Sequence, residues 1–209
     1  MASNSPTQYS VVFVNNGSDI ANACIYQQDP DLANPNVMSL AWLTKAAAPT
    51  TRVVMTWQLQ YDFVWSETGI LAPGVVFNAS QALNASPTGL NQATFSKQGG
   101  AYLLTSEQQG GKAGSLYIQS DSTIPSKQAS VGVGMSGFGT FAVQAEPNKT
   151  VTFTPHPEYW ITFGTYTQGE VMNIQDLTTQ AGQIQFPPNI YSMTATLNDD
   201  NSWTIVPTP

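Results

Sequence analysis

Cysteine, histidine and basic side chains are the scarcest features of this 209-residue sequence. It has one Cys, one His and six Lys+Arg against thirteen Asp+Glu. Because Cys24 has no second cysteine to pair with, no internal disulfide can form. One histidine and one cysteine also give no recognisable zinc-ligand spacing. We therefore expect no disulfide framework, no metal site and no cofactor.

The scarcity of basic residues argues against two classes of partner. Nucleic-acid binding needs a basic patch that displaces counterions, whereas the six basic residues are scattered singly along the chain. The net charge of −7 argues equally against electrostatic adsorption to an anionic membrane. Charged residues make up only 9% of the chain, and neutral hydrogen-bonding side chains fill the remaining polar surface. This composition favours an uncharged partner, such as a small molecule or glycan, or ordered self-packing.

Long hydrophobic runs are absent as well. Nothing in the sequence approaches the roughly 18 apolar residues of a transmembrane helix. The first residues, MASNSPTQYSVVFV, lack the basic and apolar regions of a secretory signal. Together with the lone cysteine, this predicts a soluble protein folded in the reducing cytoplasm, and export by a route that needs no such signal stays open.

The clearest pattern that is present lies at residues 51–65, TRVVMTWQLQYDFVW. Every odd position from 53 to 65 is apolar, and this period of two is typical of a β-strand. A single strand of this length would run about 40 Å, so we expect a bend or bulge near Tyr61 and Asp62. Its aromatic face needs a second layer to cover it.

Residues 129–145 form a second alternating stretch, rich in glycine. We predict that it pairs with the strand at 51–65, because its glycines let another backbone approach closely. Residues 132–137 also have the G-x-G-x-x-G spacing of a dinucleotide fingerprint. A true fingerprint passes from a strand into a helix, whereas strand-type sequence continues on both sides here, so we predict no nucleotide site.

About a dozen such short strands, separated by turn clusters, predict the fold class. We expect an all-β protein, a two-layer antiparallel β-sandwich with at most one short helix near residues 173–182. The length suits a single domain. We place that domain at residues 9–206, with a flexible N-terminus at 1–8 and a C-terminal tail at 207–209.

The sequence gives little support for a catalytic site. A Ser-His-Asp or Cys-His mechanism would have to use His156, the only imidazole. Its Pro-His-Pro setting suits equally a rigid loop whose ring packs on Tyr159 or Trp160. Glycosidase-like carboxylate pairs stay open, because any two acids could meet in space. We predict no catalytic residues and a protein that is not an enzyme.

The densest aromatic group follows this loop and gives the best candidate for a binding site. Flat aromatic faces in a low-charge β protein could stack against sugars, although at least half of the Trp and Tyr residues must fill the core. The predicted ligand-binding residues are His156, Glu158, Tyr159, Trp160 and Tyr166.

Several stretches together resemble a known family. They are YSVVFVNNGS at 9–18, CIYQQDPDL at 24–32, PNVMSLAW at 35–42, FVWSETG at 63–69, ASVGVGMSGFGTF at 129–141 and TPHPEYWITFGTYTQGEV at 154–171. They are similar to the rhizosphere-induced RhiA family of root-nodulating rhizobia and its bacterial and fungal relatives. The resemblance implies a role in plant-microbe or rhizosphere interaction, with production linked to cell density through quorum sensing. It brings no catalytic residues to this chain.

The function we expect is therefore non-enzymatic ligand binding in microbe–host or rhizosphere interaction. One alternative is a pore-forming or membrane-active β protein, because strands with one apolar and one polar face, as at 51–65 and 129–145, are what a membrane hairpin requires. Another is a self-assembling structural protein, a homo-oligomer, because low charge and many strands leave sheet edges to be paired.

Overall fold

A computed structural model describes residues 7–28, 36–106, 109–155, 157–177 and 180–209. Within these ranges the chain forms 17 strands and one four-residue helix. In chain order these are β1 (Gln8–Asn15), β2 (Ala21–Gln27), β3 (Met38–Ser39), β4 (Leu43–Ala47), β5 (Arg52–Gln58), β6 (Tyr61–Ser66), β7 (Gln81–Ala85), β8 (Gln92–Gln98), β9 (Ala101–Ser106), β10 (Leu116–Ser120), β11 (Ser130–Met135), β12 (Phe138–Gln144), β13 (Thr150–Phe153), β14 (Tyr159–Gly164), α1 (Ile174–Leu177), β15 (Gly182–Ile184), β16 (Ser192–Leu197) and β17 (Trp203–Pro207).

The strands form four sheets that pack in two facing pairs. Sheet I has the order β17-β16-β1-β5 and sheet II the order β15-β14-β2-β4. Sheet III has the order β3-β12-β11-β6-β7 and sheet IV the order β13-β10-β8-β9. Sheets I and II enclose a first core, and sheets III and IV enclose a second. The predicted all-β class is confirmed, and the arrangement of facing sheets is sandwich-like.

The strands outnumber the dozen predicted from turn signals, and they divide between four sheets. A period of two marks a strand but does not say which sheet the strand joins. Pairing is antiparallel except for β1 with β16 and β8 with β10, which are parallel. Both parallel pairs join strands that are not consecutive in the chain, so no hairpin turn signal could have revealed them.

The alternating stretch at 51–65 is two strands, β5 and β6, separated by Leu59 and Gln60. The expected interruption is confirmed, close to the predicted position. Strand β5 pairs with β1 in sheet I, whereas β6 pairs with β11 in sheet III. Trp57 therefore packs in the first core and Phe63 in the second. This stretch carries the chain from one pair of sheets to the other.

Residues 129–145 form a hairpin, β11 and β12, and not the one long strand that the pattern suggested. Ser136 and Gly137 make the turn, with φ angles of 55° and 82°. The predicted pairing with the strand at 51–65 is confirmed for its second half, because β11 pairs with β6. The residues with the G-x-G-x-x-G spacing thus lie in β11 and in the turn that leads to β12, where a dinucleotide fingerprint would lead into a helix.

The short helix α1 lies inside the predicted range of 173–182. At the N-terminus, β1 begins at Gln8, while residues 1–6 lie outside the described ranges. At the other end β17 runs to Pro207, and the Thr208 N–H donates to the Ser192 carbonyl at 3.0 Å. In the described part of the chain, no helix is long and apolar enough to cross a membrane.

Candidate functional site

Sheet II has an inner face on the first core and an outer face directed away from it. Successive side chains on a strand point to opposite faces. On β14, Tyr159 and Ile161 therefore pack in the first core. Trp160 packs instead in a separate cluster on the outer face, and Thr162 shares its phase along the strand.

Strand β2 supplies the other half of this outer face. In the antiparallel register Tyr26 lies opposite Trp160, and Cys24 lies opposite Thr162. The segment that follows β14 covers the face with side chains from its loop and from α1. These covering residues are Tyr166, Met172, Ile174, Leu177 and Ala181. We call Tyr26, Trp160, Thr162 and Tyr166 the outer-face site.

Three polar atoms of the outer-face site are buried without a hydrogen-bond partner among the residues of this structure: Tyr26 Oη, Trp160 Nε1 and Thr162 Oγ1. Tyr26 is fully buried and Thr162 is 1% exposed. An unsatisfied buried polar group costs about 1–3 kcal/mol, and folded proteins contain few of them. The three atoms lie on one sheet face, and two of them interact with neighbouring side chains without full hydrogen-bond geometry: Tyr26 with Gln28, and Thr162 with Tyr166.

Tyr166 forms the aromatic wall of the cover. Its ring lies over Gly164, where an added Cβ would stand 2.9 Å from Tyr166 Cε2. The Asn22 side chain anchors the segment by donating from Nδ2 to the Tyr166 carbonyl at 2.8 Å. The Tyr166 side chain interacts with Thr162, although Thr162 Oγ1 has no partner with full hydrogen-bond geometry.

The hydroxyl and thiol groups of this face are neutral at physiological pH. Burial raises the pKa of Tyr26 to about 12, and the interaction with Gln28 only partly offsets that effect. Burial likewise raises the pKa of Tyr166. The pKa of the Cys24 thiol lies far above its usual range because of burial first and the nearby Glu170 second. The site therefore offers uncharged donors and acceptors beside aromatic rings.

The predicted ligand-binding residues divide between several places. Trp160 and Tyr166 come together in the outer-face site. Tyr159 lies on the opposite face, 6% exposed in the first core, where its Oη accepts from Trp57 Nε1 at 3.3 Å. Glu158 is exposed just before β14. His156 lies outside the described residues.

Two residues of the outer-face site, Tyr26 and Thr162, were missed by the sequence reasoning. Alternation along β14 could have placed Thr162 on the same face as Trp160, because the two are two residues apart. Tyr26 is different, because it reaches Trp160 only through the pairing of β2 with β14. No local pattern in the sequence encodes that pairing.

Comparison with known proteins agrees with the resemblance noted above. A family model described as RhiA matches residues 6–208. The chain belongs to the RhiA family. It is 42% identical over 204 residues to "Protein RhiA" of Rhizobium leguminosarum bv. viciae, an alignment that covers 96% of this chain and 87% of that protein. No solved structure matches this RhiA-family chain.

The outer-face site joins two separate stretches that carried the RhiA resemblance. Tyr26 comes from CIYQQDPDL at 24–32, and the remaining three residues come from the long stretch at 154–171. The RhiA match assigns no role to any of them. Among the described residues, no group of three or more His, Cys, Asp or Glu side chains could hold a metal ion.

Proposed function

We propose that this RhiA-family chain is a binding protein, not an enzyme, and that its outer-face site takes a small neutral ligand of the carbohydrate class. The observation that carries the proposal is the set of three buried polar atoms without partners, Tyr26 Oη, Trp160 Nε1 and Thr162 Oγ1. We propose further that this binding serves interaction with a plant host or the root environment. The cytoplasmic location, the homo-oligomer and the link to cell density stay predictions.

The hydrogen-bonding capacity of the site matches the hydroxyl groups of a sugar. Trp160 Nε1 only donates, whereas the hydroxyls of Tyr26 and Thr162 both donate and accept. Because the three atoms are buried under the segment that follows β14, binding requires this segment to move aside. A sugar hydroxyl can then satisfy either kind of group, and the C–H face of its ring can pack against the Trp160 or Tyr166 ring. A charged ligand fits less well, because burying an unpaired charge costs far more than burying a neutral hydroxyl.

The uncharged state of the Cys24 thiol and the Tyr26 hydroxyl supports the proposal that this chain is not an enzyme. The nucleophilic form of cysteine is the thiolate, and the raised pKa of Cys24 keeps its sulfur protonated. The raised pKa of Tyr26, about 12, likewise keeps this phenol from serving as a base near neutral pH. Both groups are suited to holding a ligand and not to activating one.

Titration calorimetry tests the proposal. The ligands are neutral monosaccharides and disaccharides, with glucuronate as a charged comparison. We expect saturable binding of at least one neutral sugar and none of glucuronate. Thr162→Val should weaken that binding about tenfold, the equivalent of one hydrogen bond of roughly 1.4 kcal/mol. Trp160→Ala should abolish binding at the outer-face site, because both the ring and the N–H are lost there.

Thr56→Val is the matched control, because it removes the same hydroxyl from an exposed position on β5. It should leave the affinity unchanged. If no neutral sugar binds, or if Trp160→Ala and Thr162→Val bind as tightly as the unaltered protein, the proposal is wrong.

A further inference from the structure

A concave site lies at the turn of the β11–β12 hairpin, and none of its lining residues belongs to the outer-face site. It is a cavity of about 230 Å³ whose lining includes Phe77, Asn78, Gly137, Phe138, Gln168 and Gly169. We call it the hairpin pocket. Its lining comes from four separate parts of the chain: Trp42 between β3 and β4, the loop before β7, the β11–β12 hairpin, and the loop after β14.

The hairpin wall of this pocket is held in one conformation. Ser136 and Gly137 both have left-handed φ angles, and two contacts with the β5–β6 stretch fix the turn. The Asp62 carboxylate accepts from the Gly137 N–H at 2.8 Å, and Ser136 Oγ accepts from the Gln58 N–H at 3.0 Å. A wall that is already ordered loses little conformational entropy when a ligand binds.

Tight backbone packing holds the remaining wall. An added Cβ at Gly139 would stand 2.9 Å from Leu40 Cδ1, and one at Gly169 would collide with the Phe77 carbonyl oxygen. Gly169 also has a φ of 82°, a conformation that glycine adopts without strain. The glycines therefore let these loops pack directly on Leu40 and Phe77, which gives the pocket a firm base.

The rim of the pocket combines an aromatic ring with two amides. Phe138 is 45% exposed at the edge of the cavity. Gln168 donates from Nε2 to the Trp42 carbonyl at 3.0 Å, which leaves Gln168 Oε1 as an acceptor. Asn78, exposed at the rim, brings both a donor and an acceptor. No described residue that lines the pocket carries an ionisable side chain.

We propose that the hairpin pocket is a second binding site of this chain and takes one neutral pyranose ring. The ring packs against Phe138, and its hydroxyls hydrogen-bond to Asn78 and Gln168. The cavity is smaller than the roughly 300–1,000 Å³ of pockets that enclose whole drug-sized ligands. It therefore holds a single ring, and any further sugar units extend into solvent. This pocket shares no residue with the outer-face site, although the segment that follows β14 contributes to both.

The test uses the Trp160→Ala protein, in which only the hairpin pocket can bind, titrated with methyl glucopyranoside, methyl galactopyranoside and methyl mannopyranoside. We expect one of the three to bind at a single site. Adding Phe138→Ala should abolish the binding, and adding Asn78→Ala should weaken it about tenfold, the loss of one hydrogen bond.

The matched control is Leu90→Ala in the same background, because Leu90 is 47% exposed and lies outside the pocket. It should leave the affinity unchanged, and thermal melts should show that all variants fold. If the Trp160→Ala protein binds none of the three pyranosides, or if Phe138→Ala leaves binding intact, the hairpin pocket is not a sugar site. Neither result bears on the outer-face site, which is tested in the protein with Trp160 intact.

Discussion

Asp62 shows how one buried carboxyl couples folding to pH. It is 5% exposed on β6 and accepts from the Gly137 N–H of the hairpin turn. Burial raises its pKa, and the hydrogen bond from Gly137 opposes that change only in part. The folded protein therefore holds the Asp62 proton to higher pH than the unfolded chain does. The contribution of Asp62 to stability falls as the pH rises from about 4, the ordinary value for Asp, through the folded pKa.

Asp62→Asn should remove this part of the pH dependence and keep an acceptor for Gly137. We expect its free energy of unfolding, measured by urea denaturation from pH 4 to pH 7, to decline less with pH than that of the unaltered protein. Asp62→Ala leaves the buried Gly137 N–H without its partner and should cost about 1–3 kcal/mol. Asp199→Asn, the same change at an exposed position, should leave the decline in place. If the free energy of unfolding of Asp62→Asn falls with pH as steeply as that of the unaltered protein, Asp62 is not the source of this pH dependence.

Thr162 gives a second prediction at this scale. Because its buried hydroxyl has no partner, Thr162→Val should raise the free energy of unfolding of the ligand-free protein by about 1 kcal/mol. The same change should weaken sugar binding, so stability and affinity move in opposite directions. Thermal and urea unfolding of the purified variant measure the first effect.

Thr140→Val provides the comparison for Thr162. Thr140 is also buried, at 3% exposure, but its Oγ1 donates to the Val133 carbonyl at 3.1 Å. Removing that satisfied hydroxyl should lower stability by about 1 kcal/mol. Equal losses in the two variants would mean that the Thr162 hydroxyl has a protein partner.

At the scale of elements, the β11–β12 hairpin depends on glycine for close strand contact. An added Cβ at Gly134 would collide with the Phe138 carbonyl oxygen and stand 3.0 Å from Gly139 Cα. Gly134→Ala should therefore destabilise the protein by at least about 1–3 kcal/mol, as overpacked sites do. Urea denaturation measures the change.

Gly89→Ala is the control for Gly134→Ala. The nearest atom to an added Cβ at Gly89 is Ser86 Oγ at 3.5 Å, an ordinary contact. We expect a change within about 0.5 kcal/mol, as at other tolerant surface sites. If both variants unfold at the same urea concentration, close strand contact is not what the hairpin glycines provide.

The stretch at 51–65 shows how much an element pattern can reveal. Its alternation predicts strands, an apolar face and an interruption, and the structure has all three. The alternation does not reveal that the chain changes sheets at Leu59 and Gln60, because odd positions on β5 and on β6 both face a core. Trp57 lies in the first core and Phe63 in the second. The alternation predicts that both side chains are buried, but it does not predict in which core.

Across the whole molecule, the two cores are joined and should unfold together. Tyr61 packs against both of them. Trp42, in the first core, donates from Nε1 to the carbonyl of Met135, the last residue of β11 in sheet III, at 3.1 Å. Because β5 and β6 are separated by only two residues, one pair of sheets can hardly open without disturbing the other.

The tryptophans provide a test of this coupling. Trp42 and Trp57 lie in the first core and Trp65 in the second. Trp160 and Trp203, the other two tryptophans, also lie on sheets II and I. In Trp65→Phe the fluorescence therefore comes from the first pair of sheets. In the quadruple variant Trp42→Phe, Trp57→Phe, Trp160→Phe, Trp203→Phe it comes from Trp65 in the second core. Within each variant, we expect the fluorescence and far-ultraviolet circular dichroism midpoints in urea to coincide, as in a two-state transition. Separate midpoints in either variant would mean that the cores unfold independently.

Local features of this protein follow from its sequence alone: the strands, the short helix and membership of the RhiA family. These follow from patterns a few residues long, or from similarity along the chain. Which strands pair depends on tertiary packing, and that pairing determines which residues share the outer face of sheet II. Tyr159 and Trp160 are neighbours in sequence, yet the packing of sheet II on sheet I sends the first into the core and leaves the second on the outer face beside Tyr26. Alternation puts adjacent residues on opposite faces, but only the packing of the sheets determines which face is buried in the core.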